Sequence, residues 1–544
     1  MKDASTGIGL ERLEKETIFE TRAHARVFEV DVFWFGTAAV TAAVAGVLGW
    51  FLQTWPPHED EALALFVGRG SLGHVLHTVI AERGGAPLHF LFAWTVVHLG
   101  GGLMALRLVS LLFAVASVPL VALLGARLAD RTTGVVAAAL ASGTWAFLFH
   151  GVYGRMYSLF LFTSLLSFVA LLHALDRGGR KPFAFWGLSL LALLASHPYA
   201  VLVLGVQGLF VVVRRKRLGP ALTTLAAVAV VGVPFWWADV VLRNRFDVGI
   251  GGGGPELGSP RSVLRYLWLV SGDFSAGHHA WAAFSLPLAA AGGVLLVRRR
   301  RESALLIACA IVVPAVAFTA ATLRSTASPE ARHLIFALPF FSVLLALPLV
   351  TVARSRPPMT VALALLAAAV LFFGEVRWTH HRTPQLFDGD PPGEARARDA
   401  AADWLASTAR NDDILLGYEP TFLRAWERNR SFSSLVLPRA DPALFASALK
   451  DVDLPLGRGI WVFDASDTTN EQERQTIPLV LPEPKAQFDG RIYGPYLVIR
   501  SRRPLGSRAH YLAVTETVMR LGRRLQITDA DINLHTMLQA ESRF

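Results

Sequence analysis

Three consecutive acidic residues, Glu59, Asp60 and Glu61, follow directly on the first long apolar segment of the chain. A carboxylate in this position can accept a proton from a hydroxyl group, hold a divalent metal ion or cap the helix expected to begin at Ala62. Because the reference pKa of an aspartate side chain is about 3.9, an exposed carboxylate here is ionised at neutral pH. Position alone does not distinguish these roles, so the surrounding residues must.

Basic and aromatic residues at other segment ends are candidates for the same site. An arginine alone at the end of a membrane helix is usually an interfacial anchor. Several arginines and histidines beside an acidic cluster instead suit an anionic headgroup together with a hydroxyl acceptor, because a guanidinium binds phosphate through a rigid fork of donors. The topology described below places the following residues on the side of the acids: Arg155, Tyr157, His197, Arg324, Arg332 and His333.

The composition indicates that these residues belong to an integral membrane protein. Of the 544 residues, 53% are hydrophobic and 17% are charged, whereas soluble domains contain about 25% charged residues. The single cysteine, Cys309, excludes an intrachain disulfide bond and a cysteine-rich metal site. The net charge of +10 comes from short basic clusters between apolar segments. This pattern is typical of topology signals and argues against nucleic-acid binding.

The apolar segments and basic clusters together predict the topology, since a membrane helix needs about 20 apolar residues. Each neighbouring pair of basic clusters is separated by two apolar segments, so all of the clusters lie on one face, which the positive-inside rule makes cytoplasmic. The clusters are 127–131, 177–181, 214–217, 298–301 and 354–356. The apolar segments are 33–52, 86–100, 104–126, 134–150, 157–175, 183–198, 200–213, 219–241, 281–297, 303–321, 333–352 and 358–374.

One early segment is expected not to cross the membrane. If all of them crossed, the N-terminus and the loop 53–85 could not both lie on their favoured sides. Segment 86–100 is short and contains His89 and His98, so we expect it to dip into the membrane from outside or to lie along it. A missed crossing within 62–85 is the alternative. The prediction is about 11 crossings, with the N-terminus inside and the C-terminus outside.

The sequence thus predicts an α-helical polytopic membrane protein with a C-terminal soluble α/β domain. Residues 1–32 form a cytoplasmic tail, and 33–375 form the membrane domain with its outer loop 53–85. In 376–544, Arg, Asp, Glu and Pro become common and no long apolar segment remains. Here ILLGY, GIWVFDA and YLVIRS predict strands, and ARDAADWLASTAR and AHYLAVTETVMRLGRRLQ predict helices. This last part is expected to be extracytoplasmic.

Several short motifs occur in the order found in a known family. With them, the chain resembles bacterial GT-C glycosyltransferases of the family 39 type, which are related to protein O-mannosyltransferases and lipid A aminoarabinose transferases. The resemblance covers about 33–350 and implies the GT-C fold. Ala86 and His89 depart from the family's proline and tyrosine, which leaves the donor sugar open. The motifs are Asp60-Glu61-Ala62, Ala86-Pro87-Leu88-His89, Arg107 with Ser110, Arg155-Met156-Tyr157-Ser158-Leu159, Ser196-His197 and Arg332-His333-Leu334.

The resemblance implies inverting transfer of a sugar from a polyprenyl-phosphate-linked donor to a cell-envelope acceptor outside the bacterial cytoplasmic membrane. The acceptor would be a glycolipid, a polysaccharide or a protein. Asp60 would be the general base, and Glu61 would orient the acceptor or Asp60, or hold a divalent ion. Arg155 and Arg332 would bind the donor phosphate. No cofactor is required, while Mg²⁺ or Mn²⁺ on the two acids stays open. The pocket would be lined by His58, His89, Tyr157, His197 and His333.

Two other classes of protein are alternatives. A transporter or flippase of a lipid-linked or anionic solute would be expected to have inverted repeats and polar residues near the membrane midplane. The candidate residues here lie instead at segment ends. A non-catalytic envelope-assembly protein with the same GT-C fold would use its outer domain to contact glycan. The sequence favours the glycosyltransferase and leaves the sugar, the acceptor and the role of 376–544 open.

Overall fold

The computed structural model describes residues 32–245, 250–251, 256–277, 279–323, 327–355, 357–432, 435–439, 441–466, 477–525, 527, 534 and 537–539. Within these ranges, a bundle of helices carries a small mixed α/β domain near the C-terminus. Arg324, one of the residues predicted to lie on the side of the acids, is outside the described residues.

The membrane domain consists of helices joined by short connections. A π-helical turn, Thr78–Arg83, precedes α4, and a 3₁₀ helix, Ala331–Ala337, leads into α16. Two-residue strands β1 (Ile250–Gly251) and β2 (Ala327–Ser328) pair in parallel. The helices are α1 (Val32–Thr54), α2 (Glu59–Gly68), α3 (Leu72–His77), α4 (Pro87–His98), α5 (Leu103–Leu128), α6 (Arg131–Gly143), α7 (Trp145–Val152), α8 (Tyr157–Arg177), α9 (Arg180–Ser196), α10 (Ala200–Arg214), α11 (Leu218–Val231), α12 (Val233–Arg245), α13 (Pro260–Asp273), α14 (His279–Arg299), α15 (Arg301–Thr322), α16 (Leu338–Ala353) and α17 (Pro358–Arg382).

In the described part of the chain, 7 helices are long and apolar enough to cross a membrane. Two further pairs are bent, α6 with α7 by 66° and α11 with α12 by 60°, and they raise the number to 9 if each pair is one span. Helices α9 and α10 have 17 and 15 residues, whereas an upright span needs about 20. The predicted count of about 11 crossings is therefore not confirmed and stays a prediction.

The segment predicted not to cross forms α4, which has 12 residues. At 1.5 Å per residue, such a helix is about 18 Å long, which is shorter than the roughly 30 Å of a hydrocarbon core. Helix α4 packs on α2 with the two backbones in contact, because a Cβ atom added at Gly68 would lie 2.9 Å from the backbone of Ala93. The early connection is thus a packed layer that presents α2 and its acids.

The C-terminal domain has a five-stranded sheet in the order β4-β3-β5-β7-β6. Strands β4, β3 and β5 are parallel, whereas β7 is antiparallel to both β5 and β6. The strands and helices predicted from the sequence in this part are present. The elements are α18 (Gln385–Asp388), α19 (Pro392–Thr408), β3 (Ile414–Leu416), α20 (Pro420–Arg428), β4 (Leu435–Leu437), α21 (Pro442–Lys450), β5 (Gly459–Asp464), β6 (Phe488–Tyr493), β7 (Tyr496–Ser501) and α22 (Arg508–Arg524).

The C-terminal domain rests directly on α2 and α4. Phe66 of α2 and Trp426 of α20 belong to one buried apolar cluster and lie 6.2 Å apart between ring centroids. The Arg69 guanidinium lies 5.4 Å from the centre of the Trp426 ring. Glu427 accepts a hydrogen bond of 2.8 Å from the Leu103 amide at the start of α5. Apolar burial and these polar contacts therefore hold the domain against the helix that carries the acids.

Candidate active site

Asp60 lies in the first turn of α2, and the chain before the helix fixes its position. His58 is the N-cap residue: its Nδ1 accepts a hydrogen bond of 3.2 Å from the Asp60 amide, and its own amide donates to Glu61 Oε2 at 3.1 Å. This reciprocal pair is a capping box. Tyr153 Oη donates to Asp60 Oδ2 at 2.7 Å, and Nη2 of Arg155 lies 3.5 Å from Asp60 Oδ1. The acids thus cap the helix, and Asp60 also faces an arginine and a tyrosine.

The charges around Asp60 keep its carboxyl group ionised. Burial by itself would raise the pKa of Asp60. The positive charge of Arg155, the hydrogen bond from Tyr153 and the charge of Arg332 outweigh burial and hold the pKa of Asp60 well below its usual range. Arg155 and Arg332 stabilise the negative charge of Asp60 and therefore make its carboxylate a weaker base. When another anion offsets the charges of these two arginines, the pKa of Asp60 rises and its carboxylate becomes a stronger base.

Glu61 has a different environment from Asp60, although the two are neighbours in the sequence. Its side chain is fully buried, and Arg107 donates to Oε1 at 2.8 Å and to Oε2 at 2.6 Å. The Gly154 amide adds a bond of 2.8 Å to Oε1. Arg107 also donates to two carbonyl oxygens in the connection before α2. Glu61 therefore ties α2 to α5 and to the connection that carries Tyr153, which favours orientation of Asp60 over binding of an ion.

Replacing Glu61 by glutamine is expected to destabilise the fold. Removing one member of a buried ion pair leaves the other charge uncompensated, which typically costs about 3 to 5 kcal/mol. A matched control is Glu516→Gln, which breaks a pair with Arg520 on the surface of α22, where Arg520 is 58% exposed. Such a surface pair contributes roughly 0 to 1 kcal/mol. Thermal unfolding in detergent should show a clearly lower midpoint for Glu61→Gln than for the control; equal midpoints would contradict the structural role.

The site contains two positively charged side chains, Arg155 and Arg332, each of which has an N–H donor that forms no hydrogen bond with the described residues. Their side chains are only 13% and 23% exposed, and their guanidinium groups repel each other electrostatically. The Nε atom of each is buried and has no hydrogen-bond partner among the described residues. Arg332 pairs with Glu330 and lies 5.1 Å from the centre of the Tyr157 ring. Two guanidinium groups with unused N–H donors form a site suited to a phosphate.

A group of aromatic and imidazole rings lies next to Tyr157 and extends the candidate active site. His197 lies 5.3 Å from Tyr157 and 5.9 Å from His333 between ring centroids, and it stacks on Phe160 at 4.5 Å. His333 stacks on Tyr199 at 4.4 Å with an interplanar angle of 5°. Nε2 of His197 is buried without a partner among the described residues. The structure therefore brings together three predicted pocket residues that are up to 176 positions apart, from 157 to 333.

His89 approaches the acidic side of the site from α4. Its side chain is 3% exposed, and Nε2 has no partner in the described part of the chain. Burial and the charge of Arg155, which outweigh the opposing charge of Asp60, lower the pKa of His89 to about 3. The ring is therefore neutral at physiological pH. A neutral imidazole in this place can donate or accept a hydrogen bond without adding charge.

Two residues missed by the sequence reasoning lie between the predicted ones. Tyr153 is 2% exposed, and besides its bond to Asp60 its Oη lies 3.0 Å from His58 Nδ1. His150 is 1% exposed, lies 4.5 Å from the Tyr157 ring and has both nitrogens buried without a partner among the described residues. His150 lies in the last turn of α7 and Tyr153 directly follows this helix, so both are within five residues of Arg155, and this proximity in sequence was the available signal.

Arg83, a third missed residue, ends the π-helical turn before α4. Burial lowers its pKa, and so does the charge of Arg155, whereas Tyr418, Asp441 and Asp60 raise it. Arg83 therefore lies within electrostatic reach both of the acidic site and of the C-terminal domain. It falls in the loop 53–85, where the sequence carries no motif that marks it.

Replacing Tyr153 by phenylalanine is expected to shift the pH dependence of any activity that needs ionised Asp60. The hydroxyl group stabilises the charged form of Asp60 and lowers its pKa, so the pKa of Asp60 should rise without it. Activity that needs ionised Asp60 should then be lost at a higher pH when the solution is acidified. The rate of such an activity, measured from acidic to neutral pH, tests this. The control Tyr199→Phe leaves the surroundings of Asp60 intact, so its activity should fall at the same acidic pH as that of the wild type. If the activity of Tyr153→Phe also fell at the wild-type pH, Tyr153 would not control the pKa of Asp60.

Asp60 and Glu61 do not form a divalent-metal site with the other described residues. Within the described residues, no group of three His, Cys, Asp or Glu side chains is close enough to share one. The oxygens of Glu61 already accept bonds from Arg107 and Gly154, and the nearest charged neighbour of Asp60 is cationic. Divalent ions such as Mg²⁺ prefer several free oxygen ligands. The described side chains therefore build no metal site around Asp60 and Glu61.

The fold defines a class of protein. The helical bundle with its small mixed α/β domain matches solved structures of GT-C fold enzymes. No protein-family model matches the chain, and no curated protein sequence matches it. The comparison with solved structures therefore carries the fold assignment.

Two solved structures of ArnT, an aminoarabinose transferase from Cupriavidus metallidurans, have this fold. The apo structure has a TM-score of 0.51 and 15% identity, and the match covers 86% of this chain and 98% of ArnT. The structure bound to undecaprenyl phosphate has a TM-score of 0.54 and 12% identity, with coverages of 85% and 97%. The archaeal oligosaccharyltransferase AglB from Archaeoglobus fulgidus gives a TM-score of 0.47 at 11% identity, with coverages of 78% and 69%.

Proposed function

We propose that this protein is an integral-membrane glycosyltransferase. It transfers a sugar from a polyprenyl-phosphate-linked donor to a hydroxyl group of a cell-envelope acceptor on the outer face of the bacterial cytoplasmic membrane. One observation carries the proposal: an ionised carboxylate, Asp60, faces two arginines, Arg155 and Arg332, that retain unused donors. This reaction needs a base to accept the proton of the acceptor hydroxyl group and, beside it, a site that binds the donor phosphate.

The arginines act on the donor phosphate. The bond between the anomeric carbon and the phosphate oxygen breaks, and its electron pair leaves with the polyprenyl phosphate. Negative charge therefore grows on the phosphate in the transition state, where preorganised guanidinium donors stabilise it. The similarity to the ArnT structure with undecaprenyl phosphate supports a polyprenyl phosphate as the leaving group.

Asp60 acts on the acceptor. The acceptor oxygen attacks the anomeric carbon from the side opposite the leaving phosphate, which inverts the configuration, and the proton of the hydroxyl group passes to Asp60. Binding of the anionic donor offsets the charges of Arg155 and Arg332. The donor therefore raises the pKa of Asp60 and strengthens the base when it is needed. Glu61 and Tyr153 hold the carboxylate in place.

The C-terminal domain is proposed to recognise the acceptor. Arg439 pairs with Glu59, the residue before Asp60, at 2.6 Å, and it also pairs with Glu419 of its own domain. Tyr418 and Asp441 act electrostatically on Arg83. The Arg439–Glu59 pair lies next to Asp60 in the sequence, which supports a role of this surface in binding a large acceptor.

Replacing Arg439 by glutamine is expected to weaken acceptor binding and spare donor cleavage. The change removes one of the contacts between the domain and α2, and an ion pair whose Glu59 side chain is 48% exposed contributes roughly 0 to 1 kcal/mol. The KM for the acceptor should therefore rise by up to about five-fold, whereas slow hydrolysis of the donor by water should be unchanged. The control Arg520→Gln removes an exposed arginine of the same domain and should affect neither. Equal loss of transfer and hydrolysis would overturn acceptor recognition by this surface.

The proposed function is tested with a panel of radiolabelled polyprenyl-phosphate sugars. Purified wild-type protein and Asp60→Asn are incubated in detergent with each donor and with cell-envelope extract. Release of polyprenyl phosphate and transfer of label are measured. Turnover of one donor by the wild type alone would support the class of enzyme, identify the sugar and support Asp60 as the base. Specific binding without turnover of any donor would contradict the enzyme and favour a transporter, to be followed by flux measurements in liposomes.

A further inference from the structure

A polar cavity lies at the opposite end of the bundle from Asp60. The ends of α5, α8 and α10 and the start of α15 enclose a volume of about 980 Å³. Tyr157 of the candidate active site and Arg177 of this cavity are the first and last residues of α8, a helix of 21 residues. They are therefore about 30 Å apart along the helix axis, which is close to the thickness of a hydrocarbon core.

The rim of this cavity is strongly basic. Five arginines line it, and the acids among its lining residues are Asp176 and Glu302, which leaves a surplus of three positive charges when His173 is neutral. Glu302 pairs with Arg214, and Asp176 lies 3.7 Å from Arg127. The arginines are Arg127, Arg177, Arg214, Arg300 and Arg301.

Several donors of this cluster are unused. Arg214 is only 9% exposed, and its Nε is buried without a partner in the described part of the chain. Arg177 and Arg301 are exposed and have no ion-pair partner among the described residues. A topology signal requires only basic residues beside a membrane helix. Here the side chain of Arg214 is largely buried and lies in the wall of a cavity.

The floor of the cavity is apolar. Leu128, Phe210 and Leu306 are at most 1% exposed and also line the cavity. The guanidinium of Arg214 lies 5.6 Å from the centre of the Phe210 ring, at the boundary between floor and rim. A ligand for this space needs one or more anionic groups and an adjoining apolar part. Inorganic phosphate alone would leave the floor without a partner.

We propose that this cavity binds the headgroup of an anionic phospholipid from the leaflet opposite the candidate active site. The phosphodiester groups accept hydrogen bonds from the arginines of the rim, and the glycerol and first acyl carbons lie against the apolar floor. Basic pockets between membrane helices are suited to such headgroups. A bound lipid joins the ends of four helices, and a doubly charged lipid of the cardiolipin type matches the surplus charge best. This inference does not depend on the proposed enzyme activity.

The test is lipid binding to the full-length protein. Protein stripped of lipid in detergent is titrated with cardiolipin, phosphatidylglycerol and phosphatidylcholine, and bound lipid is counted by native mass spectrometry. The test variant is Arg177→Gln/Arg301→Gln, because these exposed side chains form no described ion pair and their loss should not disturb folding. The matched control is Arg131→Gln/Lys181→Gln, which removes two exposed cations from basic clusters at the same end of the bundle but outside the cavity.

The wild type is expected to bind cardiolipin in preference to phosphatidylcholine. The test variant should lose roughly ten-fold or more in cardiolipin affinity, since each basic residue near an anionic surface contributes about 1 kcal/mol, or roughly five-fold. The control should bind like the wild type. Equal weakening of both variants, or no weakening of the test variant, would overturn the site. Displacement of cardiolipin by millimolar inorganic phosphate, or tighter binding of polyprenyl phosphate, would overturn the assignment to a phospholipid.

Discussion

Asp60→Asn is expected to lower the rate of sugar transfer by about 10²- to 10⁴-fold, the contribution typical of a general base. Asparagine has nearly the same shape and can still accept the hydrogen bond from Tyr153, so the first turn of α2 should stay in place. It cannot take the proton of the acceptor hydroxyl. Removing a negative charge beside Arg155 should also leave the donor phosphate better compensated, so donor binding should be unchanged or tighter.

This pattern separates a base from a merely structural acid. Single-turnover transfer and donor binding are measured on the same preparation, with Glu82→Gln as the control. Glu82 lies in the same early connection, where its partner is His77 on the surface, and its loss should change transfer less than about three-fold. Turnover of Asp60→Asn at the wild-type rate would remove Asp60 from the proposed role. Loss of donor binding together with transfer would instead make Asp60 part of the donor site.

Arg332→Gln is expected to lower kcat by about 10²- to 10³-fold, as does the loss of one preorganised donor at a developing anion. Arg332 is the better choice for this test, because Arg155 lies 3.5 Å from Asp60 and its loss would alter the base directly. The guanidinium of Arg332 instead pairs with Glu330 and lies over Tyr157. If charge grows on the leaving phosphate, kcat should fall more than the affinity for the donor.

Two further variants sharpen this prediction. Arg332→Lys keeps the charge but loses the fork of donors, and it should recover part of the rate. Arg377→Gln is the matched control, since Arg377 is an exposed arginine near the end of α17 on the active-site side. If arginines at span ends were only interfacial anchors, both glutamine variants would behave alike. A loss of donor affinity with kcat unchanged would mean that Arg332 binds the ground state and transition state equally.

The general architecture was predictable because it depends on local composition. Apolar segments of about 20 residues became the long helices such as α5, α8 and α15, and the change of composition after 375 marks the C-terminal sheet domain, although α17 continues to Arg382. The number of crossings was harder to predict. A bend of 66° between α6 and α7, and helices as short as the 15 residues of α10, depend on packing against neighbours. Helix α13 has too few consecutive apolar residues to stand out.

The site was predictable where its residues are adjacent in the chain. Asp60 and the segment from Arg155 to Tyr157 stood out because polar residues at the ends of apolar segments are costly without a purpose. The buried hydrogen bonds between Glu61 and Arg107 could not be predicted from the sequence, because the two residues are 46 positions apart. Adjacent carboxylates look alike in a sequence, and only the partner that each one meets separates their roles.

The sequence by itself determined that this is a multi-pass membrane protein and that a small domain with a sheet follows the apolar helices. These properties follow from hydrophobicity and charge, which add up along the chain. Tertiary structure alone decided that Tyr153 binds Asp60, that Arg83 lies near both domains, and that four helix ends enclose a basic cavity. These features depend on distances between helices, and the packing of buried side chains sets such distances to within an ångström.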